Sequence, residues 1–302
     1  MKALRIAPRN RNKYGFIFIW LTPIVALYAF LRFIPILYSF VLSLTDWNLI
    51  DPVHKFIGID NFANLLSDPN FQTALSNTTV FAIATTLLSV VLGFFLAALV
   101  AQAGIGRRLG TVVEILFFLP VVIPMVPATL AWRWILNYQS GILNSILGTF
   151  GISPLAWLTD PHLALLSVVI ISVWKQLGYN MIIFLVGIRA IPILYYEAAA
   201  VDGADAWSKF RHITLPLVAP VLLFVTVLTT IGAYNVFTQV YVLASDAQGA
   251  PGYLTNVMVY DIVQNGFRFY NLGYASAESF FLFMIIVVFT LLQFRFLNRP
   301  TD

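Results

Sequence analysis

A segment of twenty residues, 197–216, combines charged and apolar side chains in a regular order. Its acidic residues come first and its basic residues last, which suits the helix macrodipole. Apolar residues recur at every third position and predict one stripe on a helical element: Ala198, Val201, Ala204, Trp207, Phe210 and Ile213. Gly203 is predicted to form a bend, and Pro216 stands where the first turn of a following helix tolerates proline. The pattern indicates a helix-turn-helix whose apolar face docks onto another protein.

A second group of polar residues interrupts stretches that are otherwise apolar, around 175–180 and 229–239. Hydroxyls, amides and aromatic rings are able to hydrogen-bond to a sugar and stack on it, and inside a membrane such groups need partners. The residues that we predict to line a solute path are Lys175, Gly178, Tyr179, Asn180, Thr230, Tyr234, Asn235 and Thr238. Hydrogen bonding between neighbouring helices is the alternative, and it would explain about half of these positions.

The composition requires a membrane protein. Hydrophobic residues make up 60% of the chain and charged residues 10%, and the mean hydropathy is +0.87. A globular chain is nearer half apolar and a quarter charged. Because the backbone must satisfy its own hydrogen bonds in lipid, and no strand alternation is visible, we predict an all-α membrane protein. The absence of cysteine and the three scattered histidines exclude a disulfide framework and a metal cluster, and so few charges do not indicate a nucleic-acid partner.

Apolar stretches predict six transmembrane helices, at about 15–44, 76–101, 114–134, 162–187, 217–243 and 272–294. The third carries Pro120, Pro124 and Pro127, so it is expected to be kinked or partly unwound. These spans form one domain at 15–297, between a basic N-terminus at 1–14 and a tail at 298–302. The first is expected to be an uncleaved span, since its apolar run continues past Arg32.

The distribution of basic residues indicates the orientation. Twelve Lys and Arg lie in the loops and termini on the side of 197–216, against two, Lys55 and Arg268, in the opposite loops. The positive-inside rule therefore predicts that both termini and 197–216 are cytoplasmic. The sequence contains no Gly-x-x-x-x-Gly-Lys-Ser/Thr loop to hold a nucleotide phosphate. If ATP drives this protein, we expect another subunit to hydrolyse it.

Three further basic residues lie in or beside the predicted spans. Arg133 stands between two tryptophans and is predicted to be an interfacial anchor, and Arg32 is expected near the outer headgroups. Lys175 lies about thirteen residues, or roughly 20 Å, into the fourth span. An unpaired ammonium is costly there, which favours a partner or an aqueous path over snorkelling. Glu278 is one candidate partner, unless it sits at the outer end of the sixth span.

The segment 197–216 resembles the EAA loop of ABC importer permeases. The pattern is Glu-Ala-Ala, three residues, Gly, nine residues, Ile, one residue, Leu-Pro, and every fixed position is matched: Glu197, Ala198, Ala199, Gly203, Ile213, Leu215 and Pro216. The resemblance extends to 43–48, 58–62, 132–134, 174–180 and 272–277. The chain looks like the six-span permease of carbohydrate-uptake importers of the maltose-transporter type. We call residues 195–216 the EAA loop.

This resemblance implies a type I ABC importer permease fold with a cytoplasmic coupling helix, in a prokaryotic inner or plasma membrane. It implies four kinds of partner: a second homologous permease, two ABC ATPase subunits, an extracytoplasmic solute-binding protein and a carbohydrate substrate. ATP and Mg²⁺ would bind the ATPase subunits. No cofactor would bind this chain. The implied coupling residues are Glu197, Ala198, Ala199, Asp202, Gly203, Ile213, Leu215 and Pro216. Within the implied substrate segments, Tyr234 and Asn235 are the preferred contacts.

Three other functions stay open at this point. An ion-coupled secondary transporter would need an intramembrane ion site and an inverted repeat, and no repeat is visible. An ABC permease for a non-sugar solute such as glycerol-3-phosphate differs only in its cargo. A membrane scaffold or sensor would use the docking segment without transporting anything.

Overall fold

The computed structural model describes residues 11–51, 55–101, 106–244 and 255–297. Most of the predicted N-terminal segment 1–14 and the whole tail 298–302 lie outside them. The described residues form helices, and their β-structure is limited to two isolated bridges, Thr45–Phe56 and Asn48–Asn271. The helices are α1 Arg11–Tyr28, α2 Ile34–Ser43, α3 Asp60–Ser67, α4 Pro69–Ala101, α5 Arg107–Val122, α6 Met125–Ile135, α7 Ile142–Thr149, α8 Pro161–Arg189, α9 Ile193–Val201, α10 Ala206–Lys209, α11 Leu215–Tyr234, α12 Thr238–Ala244, α13 Met258–Val263 and α14 Leu272–Leu297.

The prediction of an all-α membrane protein is confirmed. The described part of the chain has five helical runs long and apolar enough to cross a membrane: Gly15–Ser43, Pro69–Ala101, Pro161–Arg189, Ala206–Leu243 and Leu272–Phe296. They coincide with five of the six predicted spans, although α4 begins seven residues earlier than expected. A sixth span exists only if α5 and α6 cross the membrane as one bent pair.

The predicted third span, 114–134, is not one kinked helix. Its axis turns by 103° between α5 and α6. Proline has no N–H to donate and disfavours a helical conformation in the residue before it. Accordingly Ile123, which precedes Pro124, is extended with φ −69° and ψ 128°. The prolines thus predicted the place of the distortion, and of the two expected forms the structure shows the unwound one, at 123–124.

At two other prolines the chain stays helical because one π turn, which is wider than an α-helical turn, precedes the proline. Pro35 and Pro216 each stand at the second position of an α-helix and follow a π turn, at Ala29–Phe33 and Phe210–Thr214. A proline ring collides with the carbonyl four residues earlier, and a π turn relieves this crowding with an i→i−5 hydrogen bond. In the second case the Leu215 N–H donates to the Phe210 carbonyl. The chain therefore continues as one helical run from Ala206 to Tyr234.

The centre of the bundle is formed by α4, α8 and α11, which pack on each other through buried apolar residues. One cluster near the EAA loop includes Ala97, Phe184 and Val218. A second, towards the opposite end, includes Phe81, Ile171 and Tyr234 and extends to α13 and α14. By contrast, the side chains of the first span are almost all exposed, so this span faces lipid or another subunit.

Close approaches between these helices require glycine. A Cβ at Gly178 of α8 would lie 1.9 Å from the carbonyl oxygen of Phe117 in α5. A Cβ at Gly93 of α4 would lie 2.9 Å from the Cβ of Asn180. Small residues at such crossings are what allow membrane helices to pack backbone to backbone. Gly178 thus fixes the position of α5 against α8.

We expect Gly178→Ala to lower the free energy of unfolding by about 1 to 3 kcal/mol, because the methyl group meets backbone atoms that have no rotamer to change. Thermal unfolding of the purified protein in detergent measures this. Gly148→Ala is the matched control, since Gly148 is exposed in α7 with nothing within 4 Å of an added Cβ. Equal midpoints for the two variants would contradict the packing role of Gly178.

Candidate functional site

The EAA loop is a helix-turn-helix, as predicted. It consists of α9, a turn at 202–205, α10 and the π turn that leads into α11. Gly203 has φ +79°, and its N–H donates to the Ala200 carbonyl at 3.1 Å. The Asp205 carboxylate accepts from the Ser208 N–H at 2.8 Å and so caps α10. Because a left-handed conformation favours glycine, the backbone of this turn already accounts for Gly203.

The apolar face of the EAA loop differs from the predicted single stripe. Val201 and Trp207 are 88% and 65% exposed. Phe210 and Ile213 are half-buried instead, and the Phe210 ring lies 5.8 Å from that of Phe94. The π turn interrupts the three-residue period and turns the last part of the stripe inward. Three further exposed apolar residues, which the periodicity missed, belong to α9: Ile193, Leu194 and Tyr195.

Two side-chain contacts stabilise the EAA loop and the end of the helix that leads into it, and neither was predicted. The hydroxyls of Tyr196 and Thr214 lie 2.9 Å apart and join α9 to the π turn that leads into α11. The Arg189 guanidinium donates to Glu114 Oε1 at 2.8 Å and joins the end of α8 to α5. Contacts over such sequence separations leave no local pattern by which to find them.

A cavity of about 200 Å³, lined by apolar and polar side chains, lies among α4, α6, α8, α11 and α12. Its lining consists of Phe81, Thr85, Met125, Ser172, Lys175, Gln176, Thr229, Gly232, Ala233, Val236 and Gln239. Across it, Gln239 Nε2 donates to Ser172 Oγ at 3.1 Å. Hydroxyls and primary amides dominate its polar groups, and Lys175 is the cation among these lining residues.

Of the residues predicted to line a solute path, only Lys175 lines this cavity. Four of the others are buried between helices. Gly178 touches α5, Asn180 Nδ2 donates to Thr229 Oγ1 at 3.3 Å, and Thr230 Oγ1 accepts from Gln293 Nε2 at 2.7 Å. Tyr234, a preferred contact, is 1% exposed, with its ring 5.3 Å from that of Phe289. In this conformation these four residues serve interhelical packing, the alternative that the sequence left open.

The remaining three path residues are accessible. Tyr179 is exposed, and Thr238 is half-buried at the start of α12. Asn235 is exposed at the break between α11 and α12, and its Nδ2 donates to the Ile231 carbonyl at 2.7 Å. These positions stay candidates for solute contact.

Residues 89–301 match the family model of the inner membrane component of binding-protein-dependent transport systems. The chain belongs to this family. It is 35% identical, over 97% of its own length and 99% of the relative's, to a probable ABC transporter permease, YurN, of Bacillus subtilis (strain 168). It is 32% identical, over 94% of its own length and 93% of the relative's, to the trehalose/maltose transport system permease MalF of Thermococcus litoralis.

The fold of this permease is that of a solved importer. A chain of a bacterial ABC transporter involved in the import of the acidic polysaccharide alginate superposes with a TM-score of 0.82 at 22% identity. The superposition covers 96% of this chain and 98% of that one. It confirms the permease fold that the EAA motif and the apolar runs predicted.

Lys175 has a partner, but the partner is not Glu278. Its ammonium donates to the carbonyls of Pro120, at 2.8 Å, Val121, at 3.0 Å, and Ile123, at the end of α5. The last carbonyls of a helix have no intrahelical donor, and a cation at that end complements the macrodipole. Glu278 instead accepts from Asn265 Nδ2 at 3.0 Å. Lys175 is therefore the cap of a helix that ends inside the bundle, and it also lines the cavity.

We expect Lys175→Met to lower the free energy of unfolding by about 1 to 3 kcal/mol, because it leaves the carbonyls at the end of α5 without their donor. Chemical unfolding of the permease in detergent measures this. Lys55→Met is the control, since it makes the same substitution at an exposed loop position. Equal stability of the two variants would show that water or another group satisfies the α5 carbonyls.

Proposed function

We propose that this permease forms, with a second homologous permease, the alternating-access path of an ATP-driven importer for a sugar or oligosaccharide. The observation that carries the proposal is the unbroken helical run Ala206–Tyr234. One end of this run is part of the EAA loop, and the other contributes Thr229 and Gly232 to the cavity. A displacement at the loop would therefore move the wall of the cavity.

The exposed apolar face of the EAA loop supports docking onto an ATPase subunit. Burying one large apolar side chain contributes roughly 1.5 to 3 kcal/mol. Exposed apolar residues on both α9 and α10 therefore offer enough area to hold a partner. In the proposed assembly each permease carries one ATPase, which binds ATP and Mg²⁺, and this chain has no ATPase site or cofactor of its own. The loop and both termini then lie in the cytoplasm, as the basic residues predict.

The composition of the cavity supports a carbohydrate cargo. Its hydroxyls and amides both donate and accept hydrogen bonds, as a polyhydroxylated solute requires. Its volume of about 200 Å³ is below the roughly 300 to 1,000 Å³ of typical ligand sites. This is expected if the second permease supplies the facing wall. The named MalF relative is a trehalose/maltose permease, and a solved alginate importer of this fold is in complex with an oligosaccharide-bound periplasmic protein.

Reconstitution tests the proposal. The permease is co-purified with a second permease and an ATPase encoded beside it and placed in proteoliposomes with the neighbouring solute-binding protein. We expect uptake of a labelled sugar that needs both ATP and the loaded binding protein, and no ATP hydrolysis by this chain alone. Uptake driven by an ion gradient without ATP would overturn the proposal. Preferential uptake of glycerol-3-phosphate would support the importer function but show that the solute is not a sugar.

Gly203 variants separate two reasons for a glycine in the EAA loop. We expect Gly203→Val to abolish uptake, because a β-branched residue does not tolerate φ +79°. Gly203→Asn should retain most of it, since asparagine adopts left-handed conformations at small cost. Uptake by the reconstituted complex is measured, with membrane insertion checked for both. Equal loss in the two variants would mean that a clash with the ATPase, and not the backbone of this chain, excludes side chains here.

Cavity residues should affect affinity more than buried packing residues do. Gln239→Ala removes a hydrogen-bonding amide from the cavity wall, so we expect the sugar concentration for half-maximal uptake to rise by up to about tenfold. Tyr234→Phe preserves ring packing against Phe289 and should leave this concentration unchanged. The opposite result would return Tyr234 to the solute path in another conformation of the transport cycle.

A further inference from the structure

Two buried carboxyl groups face each other at the end of the bundle opposite the EAA loop. Asp261 of α13 is 9% exposed and Glu278 of α14 is 0% exposed. Asn256 Nδ2 donates to Asp261 Oδ1 at 3.2 Å, and Asn265 Nδ2 donates to Glu278 Oε1 at 3.0 Å. Each carboxyl group is thus held by one amide through one of its two oxygens.

The other two carboxyl oxygens have no donor. Asp261 Oδ2 and Glu278 Oε2 are both buried without a hydrogen-bond partner among the described residues, and the two carboxyl groups interact directly with each other. Two ionised carboxylates in contact repel each other, and burial adds the cost of desolvating each charge. A buried oxygen pair of this kind requires either a proton or a cation between the two groups.

The surroundings favour a proton. Burial raises the pKa of Asp261, and the nearby charge of Asp68 raises it further, while the amide of Asn256 opposes the shift. Asp68 accepts from the Tyr274 hydroxyl at 2.6 Å, and Arg268 donates to Gln264 Oε1 at 3.3 Å and not to the pair. The other ionisable side chains on these and the neighbouring helices are Tyr38 of α2, Asp60 of α3, Tyr234 of α11, Tyr260 of α13 and Arg295, which lies in the last turn of α14, at the other end of that helix from Glu278. The described part of the chain thus places no base against the two carboxyl groups.

We propose that Asp261 and Glu278 share one proton, which the Glu278 Oε2–H donates to Asp261 Oδ2, and that this bond is a proton-dependent latch between α13 and α14. Glu278 is the more deeply buried of the two, so neutralising its charge with a proton removes the greater desolvation cost. One proton converts two opposed acceptors into a donor and an acceptor. It leaves the pair with a single negative charge, which the Asn256 amide faces.

The latch restrains more of the chain than the two helices that carry Asp261 and Glu278. After α13 the chain passes through a π turn at Gln264–Arg268 to α14. There the Leu49 N–H donates to the Tyr270 carbonyl at 2.9 Å, and the Gly273 N–H donates to the Trp47 carbonyl at 2.9 Å. Loss of the proton would therefore loosen α13 together with the loop that follows α2. Proton binding to the folded state stabilises it at low pH, and this stabilisation is lost as pH rises through the folded-state pKa of the pair.

Infrared spectroscopy of the purified permease in detergent tests the latch. We expect the stretching band of a buried protonated carboxyl group at neutral pH, absent from Glu278→Gln. The melting temperature of the parent should fall as pH rises above neutrality. In Glu278→Gln the amide N–H₂ replaces the O–H donor, so the melting temperature at neutral pH should be kept and its fall with pH reduced. Asp60→Asn, at an exposed acid of α3, is the control and should retain both the band and the pH dependence.

A second series distinguishes a proton from a cation. Melting temperatures are measured in sodium, calcium or choline chloride at constant ionic strength. We expect no ion-specific stabilisation of the parent. Stabilisation by sodium or calcium that disappears in Asp261→Asn, with no protonated-carboxyl band in the parent, would replace the proton by a metal ion and overturn the latch. Persistence of the band in Glu278→Gln would overturn it as well.

Discussion

The structure depends on a helix that ends inside the bundle and on the single side chain that satisfies its end. In lipid, an unpaired backbone carbonyl costs several kcal/mol, so irregular backbone is tolerated only where protein groups complete its hydrogen bonds. Lys175 meets this requirement with one ammonium on three carbonyls of α5. Gly178, one turn further along α8, lets the backbone of α5 come close enough for those bonds to form. The 103° turn between α5 and α6 is stable because α8 supplies both features.

A second constraint is that the helix leaving the EAA loop is not broken at Pro216. Proline usually breaks a helix, yet Pro216 lies within the unbroken helical run Ala206–Tyr234, because the π turn before it relieves the clash between its ring and the preceding turn. The EAA loop is therefore not a flexible appendage. The contact between Tyr196 and Thr214 joins its two ends, and the ion pair between Arg189 and Glu114 joins α8, which leads into the loop, to α5. A rigid loop transmits a displacement, whereas a flexible one would absorb it.

Much of the fold is readable from the sequence, because apolar length and charge placement are enough to define spans. The EAA motif likewise predicted its helix-turn-helix from local residues. The contacts of polar residues inside the spans were not predictable, since a residue on an all-apolar helix carries no periodicity that shows which neighbour it faces. Tyr234 illustrates this limit, because it has the composition of a sugar contact and the position of a core residue. Similarly, a partner or an aqueous path was expected for Lys175. Every residue has a backbone carbonyl, so residue types alone do not show which carbonyls accept its hydrogen bonds.

Residues that line the cavity and residues that pack between helices differ in how much of their hydrogen-bonding capacity is satisfied within the chain. Asn180 bonds to Thr229 and Thr230 bonds to Gln293, so a solute would have to break existing bonds to reach Asn180 or Thr230. Gln239 and Ser172 bond to each other at the cavity wall, where they retain further donor and acceptor capacity. A polar side chain in a membrane is therefore a better candidate for solute contact when its neighbours leave part of that capacity unused. By this criterion the wall formed by α8 and α12 is the better candidate for solute contact, and residues deeper between α11 and α14 hold that wall in place.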